Sequence, residues 1–130
     1  MMKRICLFLL LTWGMWACSS QLSPEEAAME VAQKSYDCLL EGDYEAFLNS
    51  RADMEGAPAS FREQLLVAYK QFVRLQQESH QGIASFTASR AEMDSTLQLM
   101  QVFMLVNYAD STQEEIVVPM VERNGEWKLR

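Results

Sequence analysis

The sequence predicts an α+β domain in which N-terminal helices pack on one face of an antiparallel sheet of about four strands. Three observations predict it. Between positions 24 and 81 the apolar residues recur at helical spacing. After Gly82 the pattern changes to runs rich in β-branched and aromatic residues. The last two of these runs meet at Asn124-Gly125, the dipeptide best suited to a two-residue hairpin turn. Helices first and strands after, with hairpin-like connections, imply helices gathered on one sheet face.

The chain begins with a different kind of segment. Met1-Met2-Lys3-Arg4 is a short positive stretch, and Ile5 to Trp16 is an apolar run of the length of a signal-peptide core. It is too short to span a bilayer, which takes about 20 residues. The run ends in Met15-Trp16-Ala17-Cys18, followed by Ser19-Ser20-Gln21. This resembles a bacterial lipobox, in which a small residue precedes a cysteine that receives diacylglycerol before cleavage. Trp16 replaces the usual small residue and Met15 the common leucine. The resemblance implies a signal peptide over residues 1–17, a lipidated tether over 18–23 beginning at Cys18, and a domain over 24–130. An ordinary secretory signal and an uncleaved anchor remain the alternatives. The residue after Cys18 is not acidic, so the familiar inner-membrane retention cue is absent and an outer-membrane location in the cell envelope is expected.

Ser23-Pro24-Glu25-Glu26 reads as a helix start, with Ser23 as the cap, Pro24 in the first turn and two carboxylates at the positive helix end. The helix is expected from Pro24 to about Leu40. Ala28, Val31, Ala32, Ser35, Cys38 and Leu39 share one face at 100° per residue, which points Cys38 into the core. Gly42 closes this helix, and Asp43 caps a short one from Tyr44 to about Asn49. After a loop from Arg51 to Ala57, Pro58 opens a long helix to about Gln81, with Gly82 in the position of a C-cap glycine. Phe61, Leu65, Ala68, Tyr69, Phe72, Val73 and Gln76 repeat along it at helical spacing.

Strands are expected over Ile83 to Glu92, Thr96 to Tyr108, Glu115 to Arg123 and Glu126 to Arg130. In the second of these both faces are apolar, Met100, Val102, Met104 and Val106 on one and Leu97, Leu99, Phe103 and Leu105 on the other. Such a strand is central and covered on both sides. The long helix is expected on one side, and a cavity, a partner subunit or the curling sheet itself on the other.

The Glu-Gly-Asp-Tyr-Glu-Ala-Phe turn beginning at Glu41, and the Val-Glu-Arg-Asn-Gly-Glu-Trp-Lys-Leu hairpin ending at Leu129, resemble landmarks of the nuclear-transport-factor-2-like, cystatin-like superfold. The layout resembles in particular the small lipoproteins of the domain-of-unknown-function 4878 group, in which a lipobox precedes one such domain. The resemblance implies a curved sheet forming a cone-shaped cavity with the helices. It gives Asp43 the role of fixing the angle between the first two helices and places the Trp127 ring at the sheet edge, with stacking on a ligand as the functional alternative. It does not choose a function, because this superfold holds isomerases, dehydratases and binding proteins.

Composition narrows the field. The 130 residues carry a formal net charge of -7, two units more negative once Lys3 and Arg4 leave with a leader. No Lys/Arg cluster interleaves with aromatics, so nucleic acid is excluded as an expected partner. Cys6 and Cys18 belong to the leader and tether, which leaves Cys38 alone in the domain without a disulfide partner. His80 is the single histidine, at the end of the long helix, with no positioned partner evident in the sequence. Scattered carboxylates, one histidine and one inward cysteine have no metal-ligand spacing, so neither a metal nor another cofactor is expected.

Six of the nine methionines lie past the tether, and flexible thioethers suit either a pocket for varied apolar ligands or a core with irregular gaps. Tyr69, Met100, Met104 and Trp127 are therefore the candidate cavity-lining residues. The leading expectation is a non-enzymatic, membrane-tethered domain that binds a small apolar ligand or an envelope protein. An isomerase- or dehydratase-like enzyme using Tyr69 and Asp110 is one alternative. A structural module forming a homodimer through the sheet is the other.

Overall fold

The computed structural model describes residues 21–130; the leader, Cys18 and the start of the tether lie outside them. Three helices precede four strands: α1 (Pro24–Glu41), α2 (Tyr44–Asn49), α3 (Ala59–His80), β1 (Ile83–Asp94), β2 (Leu99–Tyr108), β3 (Gln113–Arg123) and β4 (Glu126–Leu129). The strands form one antiparallel sheet in the order β1-β2-β3-β4. Among the described residues no helix is long and apolar enough to cross a membrane.

Local chemistry sets the helix ends. The Ser23 hydroxyl accepts the Glu26 amide at 3.1 Å, and the Asp43 carboxylate accepts the Ala46 amide at 3.1 Å. Each cap is worth about 1 kcal/mol. Gly42 takes φ 86°, a left-handed conformation that reverses the chain between α1 and α2. At the end of α3 the left-handed cap is Gln81 at φ 62°, and Gly82 follows at φ 101°. The glycine thus stands one place beyond the position expected of it.

The core lies between α1 and the inner sheet face. Ala28, Ala32, Ser35 and Leu39 form the buried stripe of α1, and the two alanines let its backbone approach the sheet closely. Met100, Val102, Met104, Val106 and Tyr108 of β2 meet them. Gln33 ties the layers together: its side-chain amide donates to the Phe86 carbonyl at 2.8 Å and accepts the Ala88 amide at 2.8 Å. A bulge between Ala88 and Arg90 lets both Ala88 and Ala91 pair with inward-facing residues of β2, Met104 and Val102.

Four expectations change. The helix covering the sheet is α1, whereas α3, although richer in large apolar residues, has no buried residue at all. β2 is central, as its composition implies, but its second face, with Phe103 and Leu105, is only half-buried among the described residues. It also starts at Leu99, because the Asp94 carboxylate accepts the Thr96 and Leu97 amides and turns the chain there, leaving Leu97 exposed. Cys38 is half-buried, since it sits about a quarter-turn round α1 from the buried stripe. Burial, followed by the nearby carboxylates Asp43, Glu41 and Asp37, raises the pKa of its thiol.

The β3–β4 turn is the one the dipeptide predicts. Asn124 and Gly125 have φ 55° and 80°, both left-handed, as a two-residue hairpin of this type needs. Beyond it, Leu129 exchanges backbone hydrogen bonds with the segment after α2, donating to Ser50 at 2.8 Å and accepting from Ala52 at 2.7 Å. The end of α2 is thereby fastened to the sheet edge.

Candidate functional site

A cavity of about 420 Å³ opens between the three helices and the sheet. α1 contributes Tyr36 and Leu39, α2 Phe47, and α3 Tyr69, Phe72 and Gln76. The sheet contributes Phe86, Val106, Tyr108, Glu114 and Ile116. The rings hold one another edge to face: Tyr36 lies 5.0 Å from both Phe47 and Phe86, and Phe47 lies 4.9 Å from Tyr69. Such contacts fix ring orientation beyond what area burial alone does.

Polar groups enter at two points. On one side Arg51 approaches the Tyr69 hydroxyl at 3.4 Å, while Asp53 grips the same guanidinium through two bonds of 3.0 and 2.9 Å. The guanidinium in turn holds the Asp53 carboxyl below its usual range. On the other side the Tyr108 hydroxyl donates to Glu114 Oε2 at 2.7 Å. Burial first, then this hydrogen bond, pushes the Tyr108 phenol up to about 12. Burial likewise raises the pKa of Tyr36.

The sequence missed a partner for His80. Asp110 supplies it, with Oδ2 at 3.1 Å from His80 Nδ1, and the imidazole stacks on the Tyr108 ring at 4.0 Å between centroids. Thr112 orients the same carboxylate by donating its amide to Oδ1 at 3.0 Å, and its bonds lead the effects that lower the Asp110 pKa. The 30 residues separating His80 from Asp110 leave no local spacing to read. They meet because α3 ends beside the β2–β3 turn.

Of the four residues expected to line a cavity, Tyr69 does so. Met100 and Met104 are fully buried in the core under α1, and Trp127 packs half-buried against that core from β4. None of these three is among the lining residues. The methionines face inward as expected, but α1 covers the region they face. Tyr36 and Tyr108 also line the cavity, and Asp110 sits beside its rim. Phe47, Phe72, Phe86 and Glu114, which no sequence motif marks as lining residues, line it as well. Strand alternation could have found Glu114, which shares the inward parity of Ile116 and Val118, while its neighbour Glu115 pairs with outward-facing Leu105.

A second concavity, of about 500 Å³, lies between the segment after α2 and the β3–β4 hairpin and is mostly polar. Three of its cations already face acids: Arg51 meets Asp53, Arg62 meets Glu45 at 3.4 Å, and Lys128 meets Glu126 at 4.0 Å. The aromatic cavity is therefore the stronger candidate for a ligand. Among the described residues no cluster of His, Cys, Asp and Glu is arranged to hold a metal ion.

Helices followed by a four-stranded open antiparallel sheet, with a cavity between the layers, define an NTF2-like fold. A solved structure from Campylobacter jejuni, described as an NTF2-like transpeptidase, matches with a TM-score of 0.60 over 77% of this chain and 94% of that one. The two sequences are 10% identical, so the likeness is one of fold. No protein-family description and no curated protein matches the sequence.

Proposed function

We propose that this chain is a cell-envelope lipoprotein, tethered through lipid on Cys18, whose NTF2-like domain binds a small, largely apolar molecule in the aromatic cavity without transforming it. The cavity carries the reading. Its volume suits a small organic ligand, and its lining is apolar except for Gln76, Glu114 and the tyrosine hydroxyls. The lipobox-like Met15-Trp16-Ala17-Cys18 supports the tether, and with the single following domain it supports kinship with the domain-of-unknown-function 4878 lipoproteins. The transpeptidase description belongs to the Campylobacter protein and brings no chemistry with it at that level of identity.

The test uses protein purified from membranes of a host expressing the full chain. Intact mass should begin at Cys18 and include acyl chains, and Cys18→Ser should abolish them. The neutral fluorophore N-phenyl-1-naphthylamine should bind saturably to one site, and Phe72→Asp should weaken it at least about tenfold with the fold intact, since Phe72 is 40% exposed. An unacylated mass removes the tether from the proposal; absence of saturable binding removes the cavity.

A second reading, self-association through the outer sheet face, is favoured by one observation. Val117 is 50% exposed beside half-buried Phe103 and Leu105, forming an apolar strip on that face.

A further inference from the structure

We propose that the cavity selects an organic cation, an amine or quaternary ammonium carried on an apolar body. The inference rests on the reading that the cavity binds a ligand, and it names the ligand's chemical class. Six of the eleven lining residues are aromatic: Tyr36, Phe47, Tyr69, Phe72, Phe86 and Tyr108. Ring faces carry negative quadrupole density and attract cations, and the attraction strengthens where water is excluded. The lining contains no lysine, arginine or histidine, and its one carboxylate is Glu114.

Glu114 gives the site its sign. Tyr108 donates to Oε2, while Oε1 has no hydrogen-bond partner among the described residues. Glu114 is exposed at the cavity mouth, so water reaches Oε1 in the free protein, and a ligand that covers that oxygen compensates the lost hydration best by bringing a counter-charge. The basic side chains beside the lining are engaged elsewhere: Arg51, which reaches the Tyr69 hydroxyl, is gripped by Asp53, and His80, stacked on Tyr108, hydrogen-bonds Asp110. An anionic ligand would meet Glu114 and the ring faces with nothing in the lining to neutralise it. A neutral ligand would leave Oε1 unmatched.

Calorimetry on the protein purified after expression of the full chain tests this with three probes of similar size: benzyltrimethylammonium, its uncharged carbon isostere neopentylbenzene, and benzoate. The cation should bind at least about tenfold more tightly than the isostere, benzoate should bind least, and Glu114→Gln should narrow the difference between cation and isostere, leaving the part that the rings supply. Equal affinities for cation and isostere, or preference for benzoate, would overturn the inference while leaving an apolar-ligand cavity standing. Failure of all three probes and of N-phenyl-1-naphthylamine to bind would overturn both.

Discussion

Tyr108 joins three chemistries in one side chain. Its ring forms part of the core and stacks against His80, and its hydroxyl serves Glu114 at the cavity wall. Its pKa rises from 10.0 to about 12, so the native protein keeps a proton that the unfolded chain gives up earlier. The stabilisation is fully present below about 10, declines as pH rises from there to about 12, and is gone above. Denaturant midpoints measured across that window should fall in the native protein and fall less in Tyr108→Phe. Tyr36 is shifted in the same direction, so part of the slope persists in the variant. Residues of this kind were only half legible in the sequence. Ser23 and Asp43 could be assigned as caps because their partners lie three positions away, whereas the partner of His80 depends on where α3 ends in space.

At the scale of elements, periodicity gave the right helices and strands but not their partners. Large apolar residues made α3 look like the helix most firmly committed to the core, yet Ala28 and Ala32 let α1 approach the sheet more closely. Helical spacing identifies an apolar face; side-chain size at the contact helps decide which helix seats deepest. The consequence is measurable. α3 has no buried residue and exposes Val67 by 62% and Leu75 by 46%, while α1 has four buried residues and the Gln33 tie to β1. Amide hydrogens of α3 should exchange at least about tenfold faster than those of α1 in the native state, because local opening there breaks fewer buried contacts. Equal protection would mean that the two helices open together. The same seating takes Met100 and Met104 out of the cavity: they face inward, and the α1 stripe of Ala28, Ala32 and Leu39 closes over that face.

The whole molecule presents two surfaces of different character. The cavity side is aromatic and concave, and the outer sheet face carries a half-exposed apolar strip through Phe103, Leu105 and Val117. Arg90 lies 3.6 Å above the Phe103 ring and Glu115 pairs with Leu105, so charge edges that strip. Sedimentation velocity should show mass rising with protein concentration, and Val117→Lys should suppress the rise without altering ligand binding. A single monomeric species at every concentration would dismiss self-association through this face. The α+β class and the order of the elements were legible because they follow from local patterns in chain order. Cavity shape was not, because it depends on the angles at which three helices meet a sheet.

The amide of Gln33 has a consequence beyond fastening a helix. β1 is an edge strand, and unpaired backbone groups along such an edge invite a foreign strand to add to the sheet and begin a polymer. Gln33 occupies the outward carbonyl of Phe86 and the outward amide of Ala88, two of the bonds an incoming strand would use. One glutamine side chain thus blocks two of the positions at which a foreign strand could add to the sheet.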